Sequence, residues 1–241
     1  MRIRIAAAGD IHGAEEERNR LQSAFAEADR QADLILLAGD LTTYGEPEQA
    51  QVLADVSCEI ETPIYAVLGN HDWHADRRDE VVEVLQGGNV RVLERDAATI
   101  EIREATVGIV GTKGFIGGFP DAHLPDFGEP VLRRVYAETS AEVEAIDRGL
   151  RAVAGADLKL VLLHYSPTTT TLEGERETIW AFLGSDRLAR PIAEHVPDLV
   201  VHGHGHAGTF EGFIGAVPVY NVAVPVMGRD FWIFDLPAPR A

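Results

Sequence analysis

Along this chain, short apolar runs alternate with longer stretches in which apolar residues return every three or four positions. Arg2–Ala8 (RIRIAAA), Leu34–Ala38 (LILLA), Ile64–Leu68 (IYAVL), Leu158–Leu163 (LKLVLL) and Leu199–His202 (LVVH) are short and nearly continuous. Runs of that length predict buried strands. Between them the period is helical. Glu15–Gln31 places Leu21, Phe25 and Ala28 on one face, Pro47–Val56 opens with proline at a first helical position, and Asp76–Gln86 stops at Gly87 and Gly88. Strand and helix in alternation predict parallel strands flanked by helices.

The middle of the chain breaks that rhythm. Val90–Arg95 (VRVLER), Thr99–Glu104 (TIEIRE) and Thr106–Gly111 (TVGIVG) read as strands with no long helix between them. They predict a hairpin-rich, antiparallel second sheet. A helix is expected over Val131–Val153, and two more strands in Val217–Ala223 and Asp230–Leu236. Gly111–Pro130, rich in glycine and proline, is too long for a simple connection and is a candidate active-site loop. Thr168–Glu177 is polar and without period, and reads as a mobile rim that gates substrate. No repeat, low-complexity tract or linker divides the chain, so residues 1–241 read as a single domain.

Composition narrows the partners. The 241 residues are 46% hydrophobic, enough to bury a core without staples. The formal net charge is -18. So acidic a surface repels long polyanions, and extended nucleic acid is not an expected partner. Bound cations would offset part of the charge. The lone Cys58 forms no disulfide within the chain, in keeping with a reducing cytoplasm. No apolar run approaches the roughly 18 residues of a membrane span. The apolar stretch around Arg2 and Arg4 is too short for a signal peptide. A small substrate met in the cytoplasm is expected; the oligomeric state stays open.

Polar residues collect just after the strands. The first strand ends in GDIHG, with Asp10 and His12; the second in GDLT, with Asp40; the third in GNHD, with Asn70, His71 and Asp72. Leu158–Leu163 runs into His164, and Leu199–His202 into GHGHAG, with His204 and His206. In open α/β sheets ligands bind beyond the carboxyl ends of the strands, so five strand ends are expected to bring these groups to one edge. Glycine before Asp10, Asp40, Asn70 and His204 allows close backbone approach. Alone, each residue has a plainer reading: Asp10 as a helix cap, Asp40 and Asn70 as turn residues, His164 as a hydrogen-bonded core histidine. Together, carboxylate, imidazole and amide suit zinc, iron or manganese, and the absence of thiolate argues against soft-metal sites. The set exceeds the needs of one ion. A shared carboxylate could bridge two, an arrangement suited to phosphate esters.

The ordered series Asp-x-His, Gly-Asp, Gly-Asn-His-Asp, His and Gly-His-x-His, from Asp10 to His206, resembles the calcineurin-like metallophosphoesterases. The resemblance implies an α/β fold of two mixed β-sheets packed as a sandwich and flanked by helices. It implies two divalent or trivalent metal ions, drawn from manganese, iron, zinc, cobalt and nickel. Asp10, His12, Asp40 and His206 match the ligands of the first ion; Asp40, Asn70, His164 and His204 match those of the second. The catalytic histidine falls on His71, which would assist the leaving group, with a hydroxide bridging the ions as nucleophile. The implied activity is metal-dependent hydrolysis of phosphate esters, and a small-substrate phosphodiesterase is its expected form. The alternatives are a phosphomonoesterase or nuclease of the same family, or a non-catalytic metal-binding scaffold. Scaffold relatives often lack the histidine that this chain keeps as His71.

One position departs from the family pattern. Many members carry an aspartate three residues after the bridging one, where it orients the catalytic histidine; here that residue is Thr43. What orients His71 is therefore open, and Asp72 reads as a structural residue. His202 lies outside the motif, His195 reads as a helix-end residue, and His74 as a solvent-facing one. His123, Lys113 and Phe115 lie in the glycine-rich loop, where they either meet substrate or cover the sheet edge. Tyr165 either lines the pocket or packs. Gly205 is expected to supply the turn that aims His204 and His206 inward. No substrate-binding residue is assigned.

Overall fold

The computed structural model describes residues 2–237. In chain order its strands are β1 (Arg2–Ala8), β2 (Leu34–Ala38), β3 (Ile64–Val67), β4 (Val90–Val92), β5 (Asp96–Ile102), β6 (Ala105–Gly111), β7 (Leu158–Leu162), β8 (Leu199–His202), β9 (Glu211–Ile214), β10 (Val217–Asn221) and β11 (Trp232–Pro237). The helices are α1 (Arg18–Gln31), α2 (Pro47–Ser57), α3 (Arg78–Gly87), α4 (Pro130–Ala152), α5 (Trp180–Leu183), α6 (Ala189–His195) and α7 (Val224–Met227). None is long and apolar enough to cross a membrane.

The strands form two mixed sheets, with orders β11-β1-β2-β3-β4 and β5-β6-β7-β8-β10-β9. In the first, β1 to β4 are parallel and β11 runs antiparallel to β1. In the second, β6, β7, β8 and β10 are parallel and the outer strands β5 and β9 are antiparallel. The expected antiparallel middle is thus confined to the β5–β6 hairpin. Val90–Val92 instead joins the first sheet beside β3, and β6 pairs in parallel with β7. Helix α3 precedes β4 and α4 precedes β7, and a helical crossover returns the chain in the parallel sense. The short β9 lies at an edge, and its EGFI sequence is too brief for the apolar pattern to reveal.

Alternation along the strands builds the layers. Ile3, Ile5, Leu34, Leu36 and Val67 face Val107, Ile109, Leu160, Leu162 and Val201 across the sandwich. The opposite face of the first sheet packs on α1, α2 and α3 through Leu21, Phe25, Leu53, Val81 and Leu85. That of the second packs on α4 and α6 through Val143, Ile146, Leu150 and Ile192. Each such side chain contributes about 1.5–3 kcal/mol on full burial. Strands β2 and β3 are buried along their whole length because both faces are covered.

The two sheets meet at the carboxyl ends of their parallel strands. Gly9 N–H donates to Val222 O (2.8 Å) and Val224 N–H to Gly9 O (3.0 Å), which pins the end of β1 to the end of β10. His164, just beyond β7, reaches across to the Ala38 carbonyl at the end of β2 (Nδ1 to O, 2.9 Å).

Helix α4 lies close on β6. A Cβ at Gly149 would stand 2.5 Å from Val110 Cγ1, and one at Gly108 would stand 2.5 Å from Val153 Cβ. Helix propensity alone favours alanine over glycine by about 1 kcal/mol. The packing predicts the opposite sign: Gly149→Ala should destabilise by about 1–3 kcal/mol, read as a lower urea midpoint.

Candidate metal centre

Strand register sets the loops side by side. Ala8 pairs with Leu37 and Ala38 with Val67. The ladder continues past the strand ends, where Asp10 N–H donates to Gly39 O (2.9 Å) and His12 N–H to Asp40 O (3.0 Å). On the other sheet Leu162 pairs with Val201, and Gly203 N–H donates to His164 O (3.2 Å). The five polar loops therefore come from two sheets, not from one open sheet. They share an edge because the sheets meet there.

All seven of the metal-binding candidates lie together. Asp10, His12, Asp40 and His206 offer ligand atoms within 4.8 Å of one another, and so do Asp40, His164 and His204. Asn70 joins the second group through Oδ1, 2.9 Å from His164 Nε2. Asp40 belongs to both. The backbone is bent to achieve this. Asp10, His12, Asp40 and His204 have φ of 56, 46, 50 and 70°, the left-handed region that non-glycine residues rarely occupy. His204 itself, not Gly205, makes the left-handed turn between the two histidines. Two glycines are required by contact. A Cβ at Gly69 would lie 2.0 Å from Asp40 Oδ1, and one at Gly203 2.3 Å from Asp10 Oδ2.

Charge is managed by neighbours. Burial would raise the Asp10 carboxyl, but the His206 imidazole 2.7 Å away and the His204 N–H at 2.9 Å hold it below its ordinary value. The same contact raises the pKa of His206. Burial, reinforced by His164, pushes His204 down to about 3, so its ring is neutral and carries a free lone pair. His12 is also lowered, chiefly by burial, and its Nδ1 is buried with no hydrogen-bond partner among the described residues. Neutral imidazoles, buried carboxylates, an amide and an unsatisfied ring nitrogen are a donor set that fits borderline or hard cations. The residues fit two such ions sharing Asp40.

His71 is oriented from an unexpected quarter. Its backbone N–H donates to Asp40 Oδ1 (2.8 Å), and its Nδ1 donates to the backbone carbonyl of Thr43 (2.7 Å). The residue that replaces the family aspartate thus still holds the histidine, through its main chain. The Thr43 hydroxyl turns away to the His12 carbonyl (3.2 Å). With Nδ1 engaged, Nε2 is the ring atom left for chemistry; it lies 3.9 Å from Asp40 Oδ2. Asp72 does not touch the ring. It is fully buried and accepts from the backbone N–H groups of Leu41 (3.1 Å), Thr42 (2.8 Å) and Gly69 (2.8 Å) and from the Thr42 hydroxyl (2.7 Å). It locks the loop after β2 to the loop after β3. Burial, and then Asp40, push its carboxyl up to about 6.

Comparison with known proteins places this arrangement. The family model described as calcineurin-like phosphoesterase matches residues 3–208. The chain belongs to that family. Among curated proteins, purple acid phosphatase 4 of Arabidopsis thaliana is 25% identical over 154 residues, covering 62% of this chain and 43% of the phosphatase. The match thus spans less than half of that relative's length. Two solved structures share the fold. Phosphopantetheinyl hydrolase from Mycobacterium tuberculosis has a TM-score of 0.65 at 16% identity, over 92% of this chain and 89% of that one. GAP50, the anchor in the inner membrane complex of Plasmodium, has a TM-score of 0.61 at 11% identity, over 93% and 72%.

The remaining residues of this calcineurin-like phosphoesterase sort by contact. His202 is fully buried; its Nδ1 donates to Gly203 O (2.7 Å) and its Nε2 accepts from the Thr171 hydroxyl (2.8 Å). Burial lowers it to about 4, so it stays neutral and both nitrogens are used. The segment Thr168–Glu177, expected as a mobile rim, is anchored instead. Thr171 and Leu172 are buried, and Glu175 accepts from Ala207 N–H (2.7 Å). His195 closes α6 and bonds Asp147 (2.8 Å), His123 bonds Asp186 (2.8 Å), and His74 is exposed. The glycine-rich loop packs on α5, where Gly117 N–H donates to Ala181 O (3.3 Å) and Gly118 N–H to Gly184 O (3.0 Å). Helix α5 in turn presents the Phe182 carbonyl to His204 Nε2 (3.2 Å), a contact that no motif announces.

Asp72→Ala should leave three buried N–H donors without their acceptor. The expected loss is at least about 3 kcal/mol of stability, measured by urea unfolding. Asp72→Asn, which keeps one carbonyl oxygen, should fall between that variant and the wild type.

Proposed function

We propose that this chain hydrolyses phosphate esters at two metal ions, and diesters of small molecules in particular. The observation that carries the reading is the sharing of Asp40 between two groups of ligand atoms. Asp10, His12, Asp40 and His206 would hold one ion; Asp40, Asn70, His164 and His204 would hold the other. Bound there, such cations supply positive charge to phosphate oxygens and bring the pKa of water toward neutrality.

The chain's own residues supply orientation and a proton. The Thr43 carbonyl fixes the plane of the His71 ring and leaves Nε2 toward the site. A protonated Nε2 can hand its proton to the ester oxygen as the phosphorus–oxygen bond breaks, so that the leaving group departs as a neutral alcohol. The water oxygen ends on phosphorus. A cleft of about 530 Å³ opens from Asp10 and His12 toward Arg20, Val224 and Arg229. It offers room for the second substituent of a diester. The net charge of -18 disfavours polynucleotides, and one cysteine suits a cytoplasmic setting. Similarity to a purple acid phosphatase favours a second reading, monoester hydrolysis.

Purified protein with manganese should hydrolyse bis(p-nitrophenyl) phosphate faster than p-nitrophenyl phosphate. The reverse order would assign a phosphomonoesterase; no turnover by folded protein with any divalent ion would overturn hydrolysis. His71→Ala should lower kcat at least about 100-fold while metal content, measured by atomic emission, is unchanged. Thr43→Ala should leave kcat nearly intact, because the backbone carbonyl that orients His71 remains.

A further inference from the structure

Lys113 is the one lysine or arginine in the buried set of described residues, at 7% exposure. It lies just beyond β6, where its carbonyl accepts from the N–H groups of His164 and Tyr165, both at 3.0 Å. An ammonium has three protons to donate. Among the described residues, the hydrogen-bond acceptor of Lys113 Nζ is the Gly114 carbonyl, at 3.3 Å; the carboxylates of Glu142, Glu138 and Glu94 favour its charge from beyond ion-pair distance, and none of them bonds it directly. Nζ stands instead among three aromatic rings: 4.2 Å from the centroid of Phe115, 5.2 Å from Tyr165 and 5.7 Å from Trp73.

Those rings border the candidate metal centre. The Tyr165 ring is 4.5 Å from that of His204. Trp73 follows His71 by two residues and is 41% exposed, with the Arg78 guanidinium 5.6 Å from its ring centroid. A buried cation needs a counter-charge or hydrogen-bond acceptors. Ring faces recover part of the lost hydration but accept no full set of N–H bonds. In so acidic a chain, such a cation beside a phosphate site is matched to an anion. Lys113 meets Tyr165 on one side, and Tyr165 meets His204. The ammonium is therefore one ring removed from the ligands that would surround the phosphate to be cleaved.

We propose that Lys113 binds a second anionic group of the substrate, with Trp73 and Phe115 flanking the body that carries it. The substrate class is a phosphate ester whose flat or apolar body carries a second anionic phosphoryl group; a nucleoside diphosphate, with one phosphoryl group more than the monophosphate, serves as the binding probe. This rests on the phosphoesterase reading of the same site. Aromatic walls lower the local dielectric and strengthen the charge contact, which accounts for lysine and rings occurring together.

Calorimetric binding of ADP and AMP to manganese-loaded protein tests the proposal, with thermal unfolding as the control for folding. Wild type should bind ADP about tenfold or more tightly than AMP, as a charged hydrogen bond in a low dielectric gives. K113Q should erase that ratio, and K113R, which keeps the charge, should retain most of it. Equal affinities in wild type would overturn the proposal, whether or not K113Q folds. So would a ratio that survives in folded K113Q. A failure of the phosphoesterase reading is distinguishable, because it would appear as absent turnover while the binding ratio stands.

Discussion

Three carboxylates, Asp10, Asp40 and Asp72, are buried at one edge of the sandwich, and their mutual repulsion and lost hydration govern the architecture around them. Each is compensated differently. Asp72 takes four donors from two loops and becomes a structural clamp. Asp10 takes the His204 N–H and the His206 ring. Asp40 takes the His71 N–H and otherwise faces imidazoles, so much of its charge is left for cations. The left-handed residues and the glycines at Gly69 and Gly203 follow from this crowding. Backbone has to approach carboxylate more closely than a Cβ allows.

The same clamp bears on the placement of His71. Asp72 holds the loop of Thr42 and Thr43 against the loop of His71, and that contact places the Thr43 carbonyl on His71 Nδ1. The departure at Thr43 therefore leaves the His71 ring held by a main-chain oxygen instead of a side-chain carboxylate.

The fold does not settle the activity. A hydrolase and a membrane-complex anchor share it with this chain at low identity. The chemistry of this chain rests on the side chains beyond the strand ends, beside the aromatic and lysine wall that the β3, β6 and β7 loops contribute. That wall comes from three segments remote in sequence, and no motif links them.

By itself the sequence determined the parallel strands, most of the helices and the identity of every candidate ligand. Apolar periodicity and the order of the motifs are local properties of the chain. Helix boundaries at Pro47 and Gly87 were equally local. The direction of β4 and β6 was not, because a strand's partner depends on where the preceding helix returns it. Nor was the role of His202, which depends on Thr171 across a fold contact. The sequence placed the ligands on one sheet edge; the tertiary structure showed two sheets meeting, with Asp40 between their loops. The polar segment Thr168–Glu177 looked mobile because its anchors, His202 and Ala207, lie some thirty residues away. Side-chain type is written in the chain. Which carbonyl orients His71, and which rings surround Lys113, are decided only when distant segments close around the same edge of the sandwich.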